Sequence, residues 1–284
     1  MRRSATLISI SAIAVFGSAC SSASNGQPHA ANARRETTPA GASPATRVDA
    51  GPVVKAAVDA ATKSTARIDD RIRVTGMGQD FTTTVKGTFD MKADNGRLRV
   101  SLAKTGASTD GAVPLDEIFH GTTVYFRMPE EANGDTAWRS TSRDKAEAHA
   151  LLRAPLNDPE HVLRQVTMAH DYTEVGKENV NGVPAVHYAG KLDYKSLLLR
   201  LVKEKREKVE AAMVKLGDRL PATADVWVTK GGQITRIILA CDFGSVKVTA
   251  TMNLTDYGRP LGAVSLPKDA LAVPAASVGG ALTG

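Results

Sequence analysis

Only two cysteines, Cys20 and Cys241, occur in 284 residues, so the chain has no disulfide framework. That excludes the small stapled scaffolds of exported proteins and leaves stability to an ordinary apolar core. Aromatic residues make up only 5% of the chain, so the core must be built mainly of aliphatic side chains. No apolar run approaches the roughly 20 residues that a membrane-spanning helix needs. Neither sign of charge dominates: 36 Lys and Arg stand among 30 Asp and Glu, for a net +6. Interspersed charge of this size is not the footprint of a nucleic-acid binder, although a modest positive excess suits the neighbourhood of anionic headgroups.

Catalytic motifs are missing as well. The sequence contains no G-x-S-x-G elbow, no H-E-x-x-H pair, no C-x-x-C and no phosphate-cradling glycine loop. The six histidines, at 29, 120, 149, 161, 170 and 187, are scattered without metal-ligand spacing. His187 falls in a strand with apolar neighbours and reads as a partly exposed strand residue. The adjacent pairs Asp69-Asp70 and Glu130-Glu131 would point to opposite faces of a strand, which argues against a carboxylate dyad. The residues thus predict no enzyme, no metal and no cofactor. Cys241, inside the apolar run ITRIILACDF, reads as a buried, inert thiol.

What is present begins at the N-terminus. Arg2 and Arg3 precede an apolar run from Ala5 to Phe16, and Gly17-Ser18-Ala19 lead into Cys20. This is the layout of a secretory signal peptide over residues 1–19. The small residues ahead of Cys20 resemble the bacterial lipobox, with Gly17 where that motif usually has Leu or Val. The resemblance implies acylation of Cys20 and attachment to the outer face of the cell membrane through its acyl chains. Residues 20–50 are rich in Ser, Ala, Pro, Asn and Thr and read as a disordered tether. Residues 268–284 are small, polar and glycine-containing, and read as a flexible tail.

Between them, residues 51–267 are the size of one domain. Gly51 to Arg67 reads as a helix, with Val53, Val54, Ala57, Val58 and Ala61 on one side. Alternating segments follow: Arg71 to Val74, Phe81 to Met91, the Asp94-Asn95-Gly96 turn, Arg97 to Leu102, Thr122 to Met128 and Trp138 to Ser140. A helical middle is expected at Asp144 to Arg153 and again after Asp158-Pro159, as far as Ala169. Strands return at Tyr172 to Glu178 and Ala185 to Asp193, around Asn181-Gly182. A long helix, Tyr194 to Leu216, precedes a last meander of Ala224 to Thr229, Ile234 to Phe243 and Val246 to Thr255. Consecutive strands joined by tight turns make an antiparallel sheet. The fold class is therefore α+β, a strongly curved antiparallel sheet packed against helices. Inward-facing candidates on its strands are Phe81, Val85, Phe89, Leu98, Val100, Val226, Val228, Ile238, Val248 and Met252. Such a lining can close as a solid core or leave an apolar cavity.

The order of parts, with the phrases VKAAVDAATKSTARIDDRIRVTG, ENVNGVPAVHYAGKLDY and LPATADVWVTKGGQITRI, resembles the actinobacterial lipoproteins of the LppX/LprG type, which share a fold with the LolA and LolB lipoprotein carriers. The resemblance implies an open half-barrel with a cavity for acyl chains of lipids or lipidated molecules, and a carrier or chaperone role. The ten inward candidates are the residues that would line it. A different class stays open beside this one: an interaction or sensor lipoprotein with a solid core and a protein partner.

Overall fold

The computed structural model describes residues 48–76, 80–104, 113–128, 137–216 and 221–282. Cys20, the leader and most of the tether lie outside the described residues, as do Glu130-Glu131.

A helix, α1 (Gly51–Ala61), opens the described chain. Five strands follow it: β1 (Thr65–Gly76), β2 (Phe81–Asp90), β3 (Asn95–Lys104), β4 (Val113–His120) and β5 (Thr123–Arg127). Next come β6 (Arg139–Ser142), a 3-10 turn at Pro155–Asn157, α2 (Pro159–Met168), β7 (His170–Val180) and β8 (Val183–Lys191). Two helices, α3 (Tyr194–Leu198) and α4 (Lys203–Leu216), lead to β9 (Ala222–Thr229), β10 (Ile234–Asp242) and β11 (Val246–Thr255). The chain closes with β12 (Leu271–Ala272) and 3-10 turns at Ala275–Ser277 and Gly280–Leu282.

The described strands form one 12-stranded open sheet in the order β12-β6-β5-β4-β3-β2-β1-β11-β10-β9-β8-β7. Every pairing is antiparallel except β12 with β6. The first and last meanders meet where β1 pairs β11, with Ile68, Ile72 and Val74 opposite Leu254, Ala250 and Val248. Alternation drives this closure. Along β1 every second residue from Ala66 to Val74 is buried, and a one-residue slip would turn the whole set to solvent. The helices cover the buried face, so the expected α+β architecture, a curved antiparallel sheet packed on helices, is the one found.

Several boundaries differ from the sequence reading. The first helix stops at Ala61, not Arg67, because Thr65 onwards is claimed by two strand partners, β2 and β11. The expected helix at Asp144 to Arg153 is a series of turns, with Leu152 in the left-handed region (φ 56°) so that Leu152 and Arg153 both turn inward. The long helix breaks between α3 and α4. Arg200 adopts φ 55°, its neighbour Leu201 sinks into the interior, and the backbone pairs with Ala148 through Ala148 N–H to Arg200 O (2.7 Å) and Val202 N–H to Ala148 O (2.9 Å). Strand β4, which begins Val113-Pro114, was hidden because its buried positions, Leu115, Glu117, Ile118 and Phe119, do not alternate and include a carboxylate.

The segment read as a flexible tail is packed. Leu271 and Val273 N–H donate to Trp138 and Ser140 carbonyls at 2.9 and 2.8 Å, and Val278 and Leu282 are buried in the main core. Two apolar side chains among small residues help dock this strap, a spacing that composition alone does not reveal.

Candidate functional site

Helix α1 carries its apolar residues on more than one side. Pro52 fits the first turn, where its missing N–H costs nothing, and the alanines favour helix. Val54, Ala57, Val58 and Ala61 are buried, whereas Val53 is 46% exposed and Ala56 and Ala60 face outward beside it. Across from that outer side stand Val186 and Tyr188 of β8 and Val228 of β9, ending at the Gly231-Gly232 turn. Together with Pro52, Val53, Ala56, Ala57 and Ala60 they line an open groove of about 570 Å³ with a mainly apolar lining. Small residues on the helix make the groove: alanine leaves the space that a leucine stripe would fill. Its size falls within the range of small-molecule sites.

A second hollow, of about 870 Å³, lies at the N-terminal end of the same helix. Its lining is mixed, with Val48, Val54, Val166 and Tyr172 beside Asp49, Lys55, Asp171 and Lys191. The Tyr172 ring lies over Gly190, where an added Cβ would come within 2.7 Å of it. Helix α1 is thus bordered by open space along one side and at its start.

The inward candidates fall into three groups. Val85, Phe89, Leu98, Val100, Val226, Val228, Val248 and Met252 all belong to the main buried cluster, packed against one another and the helices. Phe81 is partly buried at its margin. Of these, Val228 also lines the groove beside α1. Ile238 is a correction: a bulge between Ile234 and Arg236 shifts the register, so Ile237, Leu239 and Cys241 point inward. Ile238 packs on the opposite face with Val180, Ala185 and Trp227. Cys241 is a free, buried thiol, and burial pushes it up to about 12, the inert condition expected of it. The sequence reading missed the helical wall, Val53, Ala56 and Ala60. Its only signal is that Val53, Ala56 and Ala60 recur at helical spacing beside the buried stripe.

Two polar clusters complete the picture. On the face of the sheet opposite the main core, His187 stacks on Trp227 with ring centroids 4.2 Å apart, and it is held between Asp225 (Nε2 to Oδ1, 2.8 Å) and Glu178 (Nδ1 to Oε1, 3.1 Å). Trp227 Nε1 donates to the other Glu178 oxygen at 3.1 Å, so the carboxylate ties the two rings together. Inside the fold, Arg153 is 1% exposed among Asp70, Glu117 and Asn157. Burial pushes Asp70 up to about 7 against the pull of Arg153, raises Glu117 well above its usual range, and lowers Arg153 to about 10. Among the described residues no group of three or more His, Cys, Asp or Glu is placed to hold a metal ion. No described helix is long and apolar enough to cross a membrane.

No family model matches the chain. A stretch of 102 residues is 28% identical to an uncharacterized 31.2 kDa protein of Streptomyces griseus, encoded between rplA and rplJ. That match covers 35% of this chain and 33% of the relative, so about a third of each. Among solved structures, LprF from Mycobacterium bovis is 13% identical, with a TM-score of 0.48 over 78% of this chain and 97% of its own. The lipoprotein LppX of Mycobacterium tuberculosis is 12% identical, with a TM-score of 0.40 over 75% and 96%. The chain is similar to both. Likeness at this level says nothing of function.

Proposed function

We propose that this chain is a cell-envelope lipoprotein, anchored through an acylated Cys20, whose folded unit holds an acyl chain of a lipid or lipidated molecule as a carrier or chaperone. The observation that carries the reading is the groove of about 570 Å³ between α1 and the β8–β9 sector, walled by Val53, Ala56, Ala60, Val186, Tyr188 and Val228. Enclosing a methylene chain there gains about 0.8 kcal/mol per buried CH₂ without any specific polar partner, which suits a carrier that must release what it holds. The layout of residues 1–50 supports the anchor, since a lipid on Cys20 and a long polar leash would keep the domain beside a membrane.

A second reading is favoured by a different observation. Eight of the inward candidates are packed into one closed core, as expected of an interaction or sensor lipoprotein that binds a protein partner and encloses nothing. Titration with a fluorescent fatty acid separates the two. Saturable binding, competed by unlabelled lipid and weakened by filling the groove at Ala56, supports the carrier. Absence of binding at any accessible concentration overturns it and leaves the protein-partner reading.

A further inference from the structure

The interior polar cluster lies apart from the groove beside α1 and has an unusual occupant. Arg153 comes from the turns before α2, Asp70 from β1, Glu117 from β4 and Asn157 from the 3-10 turn, and all four are buried. Arg153 donates through Nη2 to the carbonyl of Ala281 at 3.0 Å and to Asn157 Oδ1 at 3.3 Å. Asn157 Nδ2 donates to the same Ala281 carbonyl at 3.0 Å and to Glu117 Oε1 at 3.0 Å. Yet Arg153 Nε and Nη1, Asp70 Oδ1 and Glu117 Oε2 make no hydrogen bond among the described residues. Buried polar atoms left unpaired are costly, more so when charged, so this cluster is only partly served by the fold.

What serves it is the C-terminal strap. Val278 and Leu282 supply buried apolar side chains, and Ala281 supplies one uncharged oxygen that accepts from two donors. The strap is otherwise held to the sheet by the two-residue β12. It therefore presents to the cluster what an acyl ester would present: apolar legs on either side of a neutral carbonyl.

We propose that Arg153 and Asn157 form a second binding site, for the ester head of an uncharged acyl lipid, and that the C-terminal strap fills this site until ligand displaces it. The ester carbonyl takes the place of the Ala281 oxygen and reaches the free Arg153 donors. Hydroxyls on the head donate to the unpaired oxygens of Asp70 and Glu117. A fatty-acid carboxylate has no hydroxyl to offer those two oxygens, which is what sets the two heads apart. The site goes beyond the groove beside α1 and shares with it only the acyl character of the ligand.

Hydrogen exchange on the full chain, read at Leu271 and Val273, tests this with monoolein as the neutral ester and oleate as its anionic counterpart, while native mass spectrometry of the same samples counts bound lipid. Saturating monoolein is expected to speed exchange at both amides by about tenfold or more, and oleate is not. Loosening the strap with Leu282→Ala is expected to tighten monoolein binding by about tenfold, since less is lost in displacing it. Bound monoolein with an unmoved strap, equal effects of oleate, or unchanged affinity in Leu282→Ala each overturn the second site while leaving the α1 groove standing. If no lipid binds at all, both fall together.

Discussion

The ring of Phe89 lies against the bare backbone of Gly96, the residue paired with it across β2 and β3. A Cβ at position 96 would fall 2.4 Å from Phe89 Cδ2, and the ring also meets Phe119 in a T-shaped contact, with centroids 5.1 Å apart. Gly96→Ala therefore forces Phe89 out of a packed position and should cost about 1–3 kcal/mol. Urea denaturation checks this, with Gly176→Ala as the comparison. That residue has nothing among the described residues within 4 Å of its added Cβ, so its change should stay within about 0.5 kcal/mol.

Arg143 binds Asp158 with both guanidinium arms, Nε to Oδ2 and Nη2 to Oδ1, each at 2.8 Å, and also meets Glu160 at 3.3 Å. Asp158 in turn caps α2 by accepting from Glu160 N–H at 3.0 Å. Both partners of the main pair are almost fully buried. Arg143→Met leaves the buried Asp158 with only the more distant Arg200, at 4.0 Å, and should cost about 3–5 kcal/mol. Adding Asp158→Asn removes that buried charge and keeps a side-chain oxygen for the cap, so the double variant should be more stable than the single one. An equal or lower denaturation midpoint would refute that arrangement.

Asp70 sets a pH dependence of definite sign. Burial raises its pKa to about 7 in the fold, against 3.8 for the ordinary group. The folded state holds the proton longer than the unfolded chain, so this residue favours folding below about pH 4 and loses that contribution as pH rises through about 7. His161 acts in the opposite sense: burial lowers it to about 4, so its protonation erodes stability as pH falls from about 6.5 towards 4. Asp70→Asn should remove the decline between about pH 4 and 7 and leave the acid-side loss. Melting temperatures across that range decide it, and an unchanged profile would contradict the buried, proton-holding Asp70.

Lipid attachment has its own test. Cells expressing the chain and fed a clickable palmitate analogue should label it, and Cys20→Ser should abolish the label and release the protein from the membrane. Equal labelling in the variant would remove the anchor from the account.

The strand pattern was legible in the sequence wherever one face is buried and the other wet. Residues 81–91 and 97–102, the Asn181-Gly182 turn and the final meander all stand where alternation and turn chemistry put them. It failed where tertiary demands override local preference. Leu201 breaks a helix that its neighbours favour, because the interior takes its side chain and Ala148 takes its backbone. A single bulge after Ile234 exchanged Ile238 for Ile237 on the inner face, and nothing local announces it. The groove was hidden for a different reason. It is made by what Ala56 and Ala60 lack, and small residues on a helix read equally as helix formers.

The most direct test of the central claim is native mass spectrometry of the chain after incubation with envelope lipids, compared with Ala56→Phe. A bound mass in the lipid range is expected on the unmodified protein, lost on organic extraction. The same mass should be much reduced in a variant whose melting temperature is unchanged, because the added ring fills the groove without touching the core. A protein that stays free of lipid, or a variant that binds as much as the parent, would contradict that claim.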